Sequence, residues 1–388
     1  MRQLPLQLRS ELKRCRDEGR PLPGFAYRDP GIFEAELDAL FRPGWISVAC
    51  AQNVPNPGDL LPVRIAGQAL LVTRDRDGEV RVFYNLCRHR GALLASEPCR
   101  AQAGRIVCPY HGWSFGLDGR FESAPHFDRS DPDAPSQALR EDLGLIPLRS
   151  AVWRDVVFVN LSGDAPDFEG FIRPLEQRIA RWTASELRPL ASDEYRIEAN
   201  WKLAAENFLD AYHLPVVHPE LGGGFSGALL LEDLEISDDI VGVAMPQGYG
   251  PGSVQDEPVF PRFSGLGEER RHLEAFVILP NTLLIVEPDN QQVIVLRPQS
   301  PECTEETFAN YVVSDASQRE ELAAERAEYH RSALLVNDQD AALLAGLQQA
   351  RSMDVGGQIR PSPSWDQTHL RFQRAWATRM LGGRLRAT

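Results

Sequence analysis

Two short stretches of the chain carry residue types that bind transition metals. Cys87-Arg88-His89 is followed, after an 18-residue gap, by Cys108-Pro109-Tyr110-His111, so each stretch offers one thiolate and one imidazole. Two thiolates and two imidazoles suit either a zinc ion or a Rieske-type [2Fe-2S] cluster, in which the thiolates hold one iron and the imidazoles the other. A zinc finger with this ligand set groups both cysteines and then both histidines along the chain. Here each stretch gives one of each, which favours the cluster. Pro109 stiffens the second stretch, and Gly91 and Gly112 allow close backbone approach to bridging sulfides. Taken singly, any of the four reads as an ordinary buried thiol or core histidine; the set of four at this spacing does not.

A second group stands near the middle, in Asn200-Trp201-Lys202 through Glu206-Asn207, Asp210 and His213 to His218-Pro219. Asn200 is a good N-cap for a helix running to about His213, which Pro215 should disturb or end. Two imidazoles five residues apart point about 140° apart on a regular helix, so an irregularity at Pro215 is needed to make His213 and His218 converge. Asp210, one turn before His213, can orient that imidazole or accept a proton from it. Two histidines and a carboxylate on one face of an iron leave positions open for dioxygen and substrate. The pair alone is a weak signal, and a third ligand is required.

The elements that must position these groups change character along the chain. Residues 5–18 and 30–42 have helical apolar spacing, with Asp29 and Pro30 as cap and first-turn residue. From Trp45 to about Asn160, short apolar runs such as WISVAC, ALLVTR, VRVFYN and VVFVNL alternate with the turns NPGD, RDGE and LDGR, the pattern of an all-β module. Both cysteine stretches follow strand-like runs, so they fall on hairpin tips. After Asp164 the spacing is helical through TASEL and again through DAYH. Strand-like runs return at 227–245, 273–279, 282–287 and 292–297, and helices close the chain at 317–350 and 364–382. Residues 246–270, rich in Gly, Pro and Glu, read as a long loop, either a lid or a disordered stretch. The expected domains are 1–43, helices packing on the last domain; 44–160, all-β; and 161–388, mixed α and β.

Composition excludes several classes. The 388 residues are 43% apolar and 25% charged, a globular balance with length for two or three domains. With 55 Asp+Glu against 41 Lys+Arg, a net charge of -14, the chain is a poor partner for nucleic acid or an anionic membrane. No run of about 18 apolar residues occurs and the start lacks a secretory apolar core, which points to the cytoplasm. Six scattered cysteines do not make a disulfide framework.

Together, CRHRGA, CPYHGWSF and NWKxxxENxxDxYHxxxxHP resemble the α (catalytic) subunit of Rieske-type non-haem iron oxygenases, the aromatic-ring-hydroxylating dioxygenase family, over nearly the whole chain. The resemblance implies an α+β fold: a Rieske antiparallel β domain joined to a helix-grip catalytic domain with a curved antiparallel sheet and flanking helices, assembled as a homotrimer. It implies that Cys87, His89, Cys108 and His111 hold the cluster, and that His213 and His218 bind catalytic Fe(II). The third ligand in such proteins is an Asp near the start of a late helix, ahead of a Gln. Asp340 best matches the spacing to Gln348, with Asp338 the runner-up; for either, the alternative is a carboxylate favoured by a helix N-terminus. Asp210 resembles the carboxylate that bridges to the cluster histidine of a neighbouring subunit, matching His111. Choline, carnitine and glycine betaine oxygenases of similar layout tend to carry Glu there, so Asp210 favours an aromatic or other apolar substrate.

No glycine-rich dinucleotide fingerprint follows a strand; GYGPG at 248–252 contains Pro and falls in the loop. Electrons should therefore come from a separate NAD(P)H-dependent reductase, with or without a ferredoxin. Arg88, Arg90, Arg100 and Arg105 are candidates for a basic docking patch on the cluster side; the alternative is a solvated face. The expected function is O2-dependent oxygenation of a small organic substrate, most directly hydroxylation of an aromatic compound in its breakdown, with mono-oxygenation or N-demethylation of a quaternary ammonium compound as the alternative. An electron-transfer Rieske protein would explain the cluster but leave Asp210, His213, His218 and Asp340 without a role, and a zinc-stabilised module would be colourless. Phe225, Tyr249, Phe260 and Phe263 are candidate pocket walls, or simple packing.

Overall fold

In a computed structural model the described residues are 6–382, apart from 129, 131–134, 222–230, 246–257, 268–271 and 354–358. The chain divides into two compact units, Ser47–Asp164 and the remainder, Met1–Ile46 with Ala165–Thr388. Most of the expected 246–270 loop lies outside the described residues.

The first unit is built on three antiparallel sheets. β2 (Asp59–Ile65), β3 (Gln68–Arg74), β4 (Val80–Tyr84) and β5 (Cys99–Arg100) form one sheet in the order β4-β3-β2-β5. β6 (Arg105–Val107), β7 (Ser114–Gly116) and β8 (Phe121–Ser123) form a second. A third joins β1 (Trp45–Cys50) to β10 (Val156–Asn160) and β9 (Arg149–Trp153), with the short helix α3 (Gln137–Asp142) between the last two sheets in sequence. Leu60, Leu71, Phe83, Ile106, Trp113 and Phe115 are buried together around Cys87 and Cys108, so the two thiols belong to the hydrophobic core of this unit.

The second unit is built on a seven-stranded antiparallel sheet. β12 (Glu232–Ser237), β13 (Ile240–Met245), β14 (Leu273–Ile278), β15 (Thr282–Val286), β16 (Asn290–Ser300) and β17 (Cys303–Val313) follow one another as a meander, and β11 (Leu187–Ile197) closes the far edge beside β17. Around it lie α1 (Leu6–Glu18), α2 (Pro30–Glu36) running into a π-turn over 37–41, α4 (Phe168–Arg178), α5 (Trp201–Phe208), α6 (Leu214–Val217), α7 (Ala323–Arg351) and α8 (Gln367–Met380). This is the α+β architecture expected. Asp29 caps α2 as read from sequence, accepting from Gly31 and Ile32 N–H with Pro30 in the first turn.

Two expectations about the second metal group need correction. The helix after Asn200 ends at Phe208, short of His213, and Pro215 is a first-turn residue of α6. Proline fits there because a first-turn N–H has no helical partner to lose. The third carboxylate is also not at a helix start: Asp340 lies well inside the 29-residue α7.

α5 is held at its N-terminal end. Asn200 Oδ1 accepts the Lys202 N–H at 3.0 Å, the Asn200 N–H donates to Gln348 Oε1 at 3.0 Å, and Gln348 Nε2 donates to Tyr27 O at 3.2 Å. Gln348 is thus a strut that fixes α7, and with it Asp340, against α5. Lys202 is fully buried and ion-paired with buried Glu36 of α2, with the rings of Tyr27, Trp201 and Trp376 5.2–5.4 Å from its ammonium. Removing one member leaves an uncompensated buried charge, which costs about 3–5 kcal/mol. Glu36→Ala should lose that much stability in urea unfolding of the second unit's transition, whereas the double replacement of Glu36 and Lys202 by apolar residues should lose less.

Candidate metal centres and their cavity

The two cysteine loops are built alike. The Cys87 N–H donates to Ala92 O at 2.8 Å and the Gly91 N–H to Cys87 O at 3.1 Å; the Cys108 N–H donates to Trp113 O at 2.8 Å and the Gly112 N–H to Cys108 O at 3.1 Å. Each turn closes on a glycine of positive φ, 75° at Gly91 and 71° at Gly112, a conformation that a side chain strains. Both thiols are buried, whereas His89 and His111 are exposed. The two rings lie 4.7 Å apart, and His89 stacks on Trp113. Burial pushes the Cys87 thiol up to about 11, eased by the His89 N–H and reinforced by the Cys108 thiol beside it. Two such thiols with two imidazoles fit a cluster whose iron takes the place of the thiol protons.

Between α5 and α6 the chain turns sharply. Asp210 Oδ1 accepts the Tyr212 N–H at 2.7 Å and Asp210 Oδ2 faces His213 Nδ1 at 3.2 Å. This turn, rather than Pro215, brings the imidazoles together: His213 Nε2 and His218 Nε2 are 3.2 Å apart, and Asp340 Oδ1 stands 3.4 Å from the first and 3.1 Å from the second. Donor atoms at right angles around an ion with bonds of roughly 2.1 Å are about 3.0 Å apart, so the spacing fits a facial two-histidine, one-carboxylate centre. The protonation pattern agrees. Burial lowers His213, but the Asp210 and Asp340 carboxylates outweigh it and lift the ring to about 9. Burial raises Asp340, but His213 and His218 outweigh that and hold it at about 2. A bound cation would replace that shared proton.

Sequence reasoning missed three supports. His218 Nδ1 faces Gln339 Oε1 at 2.6 Å, which sets the tautomer that leaves Nε2 free for a metal. Asn207 of α5 hydrogen-bonds Asp340, and Gln348 acts as the strut above. Gln339 directly precedes Asp340, and that adjacency was the available signal. Gln339→Leu should weaken iron retention on the order of 10–100-fold, checked by iron content after dialysis against a chelator. Asp338 is not part of the centre; its charge bears on Tyr195 instead.

A cavity of about 100 Å³ opens onto the centre. One water needs roughly 10–15 Å³ by this measure, so the space holds a small organic molecule. Its walls are mostly aliphatic, with Val243, Met245, Ala275, Ile285, Ile294 and Val336 among them, and its polar groups beyond the centre include Gln292, Ser332 and Asn337. Of the expected aromatic walls, Phe225 and Tyr249 lie outside the described residues. Phe260 and Phe263 are buried, but Phe260 packs on Val312, Ala316 and Tyr329, and neither lines the cavity. The expected basic patch is reduced: Arg100 pairs with Asp59 and Arg105 with Glu122. Near the cluster loops, Arg88 donates to Gly144 O and Arg90 lies over Tyr110.

Residues 184–383 match the family described as "Ring hydroxylating alpha subunit (catalytic domain)", and residues 44–141 match the Rieske [2Fe-2S] domain. The glycine betaine monooxygenase oxygenase subunit of Chromohalobacter salexigens is 31% identical over 212 residues, 55% of this chain and 46% of that protein. The chain spans about half the length of the curated relatives it matches. Two solved structures share its fold: a quaternary ammonium Rieske monooxygenase described for carnitine oxidation by gut microbiota and inter-subunit electron transfer (TM-score 0.75, 21% identity, 98% of each chain), and naphthalene 1,2-dioxygenase from Rhodococcus sp. bound to indole (TM-score 0.79, 20% identity, 98% of this chain and 99% of that one). No helix among the described residues is long and apolar enough to cross a membrane.

Proposed function

This chain belongs to the ring-hydroxylating α-subunit family, with a Rieske [2Fe-2S] domain ahead of its catalytic domain, and from that premise we propose that it is an O2-dependent oxygenase acting on an N-methyl group of a small quaternary ammonium compound. Cys87, His89, Cys108 and His111 hold the cluster, and His213, His218 and Asp340 hold a ferrous ion. Bound there, the iron supplies open positions for dioxygen, and the cluster supplies single electrons.

The chain's own residues set the conditions. Gln339 and Asp210 fix the two imidazoles through their outer nitrogens, and the aliphatic walls keep water from the substrate. The observation that carries the substrate reading is the distribution of charge around the cavity: Asp210 and Asp340 are the charged groups among its described lining residues. Two carboxylates balance a divalent ion, so the metal end carries no net positive charge to repel a methylammonium group. The relatives named for glycine betaine and quaternary ammonium substrates support the same reading. They turn the proposal away from the aromatic compound expected from Asp210, and with it from aromatic hydrocarbon breakdown. The overall change consumes one O2, two electrons and two protons, gives one water, and leaves a hydroxymethyl group on nitrogen, which releases formaldehyde and a proton.

A second reading, a neutral apolar substrate, is favoured by the aliphatic walls, since Phe208 and Phe308 are, besides the two histidines, the only aromatic side chains among the described lining residues and two rings make a thin cage for an ammonium. The electrons come from an NAD(P)H-dependent reductase, with or without a ferredoxin, and the working assembly is a homotrimer in which Asp210 faces the cluster histidine of a neighbouring copy. The test is coupled O2 consumption with a surrogate reductase over a panel of methylammonium compounds and aromatic acids. Formaldehyde release matched to O2 uptake with the former is expected; uptake with aromatic acids alone would overturn the N-methyl reading.

A further inference from the structure

The cavity face of the sheet changes chemistry along a single row of side chains. Val243, Ala275, Ile285, Gln292 and Asn310 stand directly opposite one another across β13 to β17, so their side chains share one face and neighbour one another in a row. The first four line the cavity. Three are apolar and the fourth is an amide, held by its Nε2, which donates to Tyr329 OH at 3.1 Å; Tyr329 OH in turn donates to Asn290 Oδ1 at 2.9 Å. The fifth, Asn310, is wholly buried, and neither Oδ1 nor Nδ2 has a partner among the described residues. A buried amide with both ends unmet is rare in a folded protein and calls for a ligand or a function.

The position of this pair along the substrate path follows from α7. Tyr329, which holds Gln292, precedes Asp340 by 11 residues on that helix, a rise of roughly 16 Å. The amide pair thus marks the end of the site remote from the metal centre. Apart from Asp210 and Asp340, no Lys, Arg, Asp or Glu lines the cavity among the described residues, so a charged group at that end would be buried without a counter-ion.

We propose that Asn310 and Gln292 form the distal subsite for the substrate, receiving a neutral group that both donates and accepts hydrogen bonds, a carboxamide or a hydroxyl. The inference rests on the N-methyl reading above, which places the ammonium at the metal end and leaves the other end of the molecule to these amides.

Calorimetric titration of the iron-loaded protein with three ligands that share a four-carbon chain tests it: butyltrimethylammonium, 4-(trimethylammonio)butanoate, and the amide of that acid. The amide should bind about tenfold more tightly than the other two, the worth of one buried hydrogen bond. Asn310→Leu should reduce its affinity to that of butyltrimethylammonium while leaving the melting temperature unchanged or higher, because an unmet buried amide is replaced by an apolar group of similar size. Gln292→Met should erase the preference as well, which keeps the test open if the first variant fails to fold. Equal affinity of the three ligands, tighter binding of the carboxylate, or an Asn310→Leu protein that melts lower yet keeps the amide preference would overturn the inference. Butyltrimethylammonium separates the two claims: it needs only the N-methyl reading, so its failure to bind overturns that reading with the inference, and its binding without amide preference overturns the inference alone.

Discussion

Asp340→Ala should abolish substrate-dependent O2 uptake, by about two orders of magnitude or more, while the visible spectrum of the cluster stays intact. The expectation follows from the compactness of the centre. With Nε2 of His213 and His218 3.2 Å apart and one carboxylate oxygen serving both, removal of Asp340 leaves two imidazoles facing each other with no anion to balance a divalent ion. Removing a supporting group of a metal site already costs 10–100-fold in affinity or activity, and loss of a direct ligand costs more. Asp338→Ala is the control. Its carboxylate is not part of the centre, so uptake should stay within about twofold of the parent. The measurements are iron per chain, which should fall by one in the first variant only, and O2 uptake in both. Equal loss in the two variants would mean that α7 carries the effect through folding rather than through a ligand.

Asp210→Asn should separate electron supply from metal binding. The amide has nearly the shape of the carboxylate and can still accept the Tyr212 N–H, so the turn that brings His213 and His218 together should persist. What is lost is the anion beside His213 Nδ1, 3.2 Å away, and the charge that would face a neighbouring copy's cluster histidine. Iron and sulfide content should be unchanged, and steady-state uptake should fall on the order of 10–100-fold. The reduced cluster, followed by its absorbance, should be reoxidised by O2 and substrate correspondingly slowly. Full activity in this variant would remove Asp210 from the electron path.

The parts of the fold that were readable from sequence are those whose apolar pattern and caps agree with their final surroundings. Asp29-Pro30 starts α2 as its chemistry requires, and the short runs of 45–160 became the strands of the first unit. β11 and β17 were not read. β11 is an edge strand, half-exposed along most of its length, so it lacks the apolar alternation that marks a strand. β17 carries Glu306 and Asn310 on the face that looks toward α7, both buried; polar residues at buried strand positions break the pattern where the site needs them. The centre itself was readable in residue types and spacing, because Cys, His and Asp cannot easily be exchanged at a metal. Its supports were not, because Gln339, Asn207 and Gln348 act through hydrogen bonds that join α7 to His218 and to α5, between residues more than 120 positions apart in the sequence. The placement of the irregularity was misjudged for a local reason. Proline marks a helix boundary without saying on which side of it the helix lies, and Pro215 opens α6 instead of ending α5.

Elemental and sulfide analysis of anaerobically reconstituted protein bears most directly on the central claim, that one chain holds both an iron–sulfur relay and a separate ferrous centre. About three irons and two acid-labile sulfides per chain are expected, with the third iron lost in Asp340→Ala and the other two retained. Protein without labile sulfide, or with sulfide and only two irons, would contradict it.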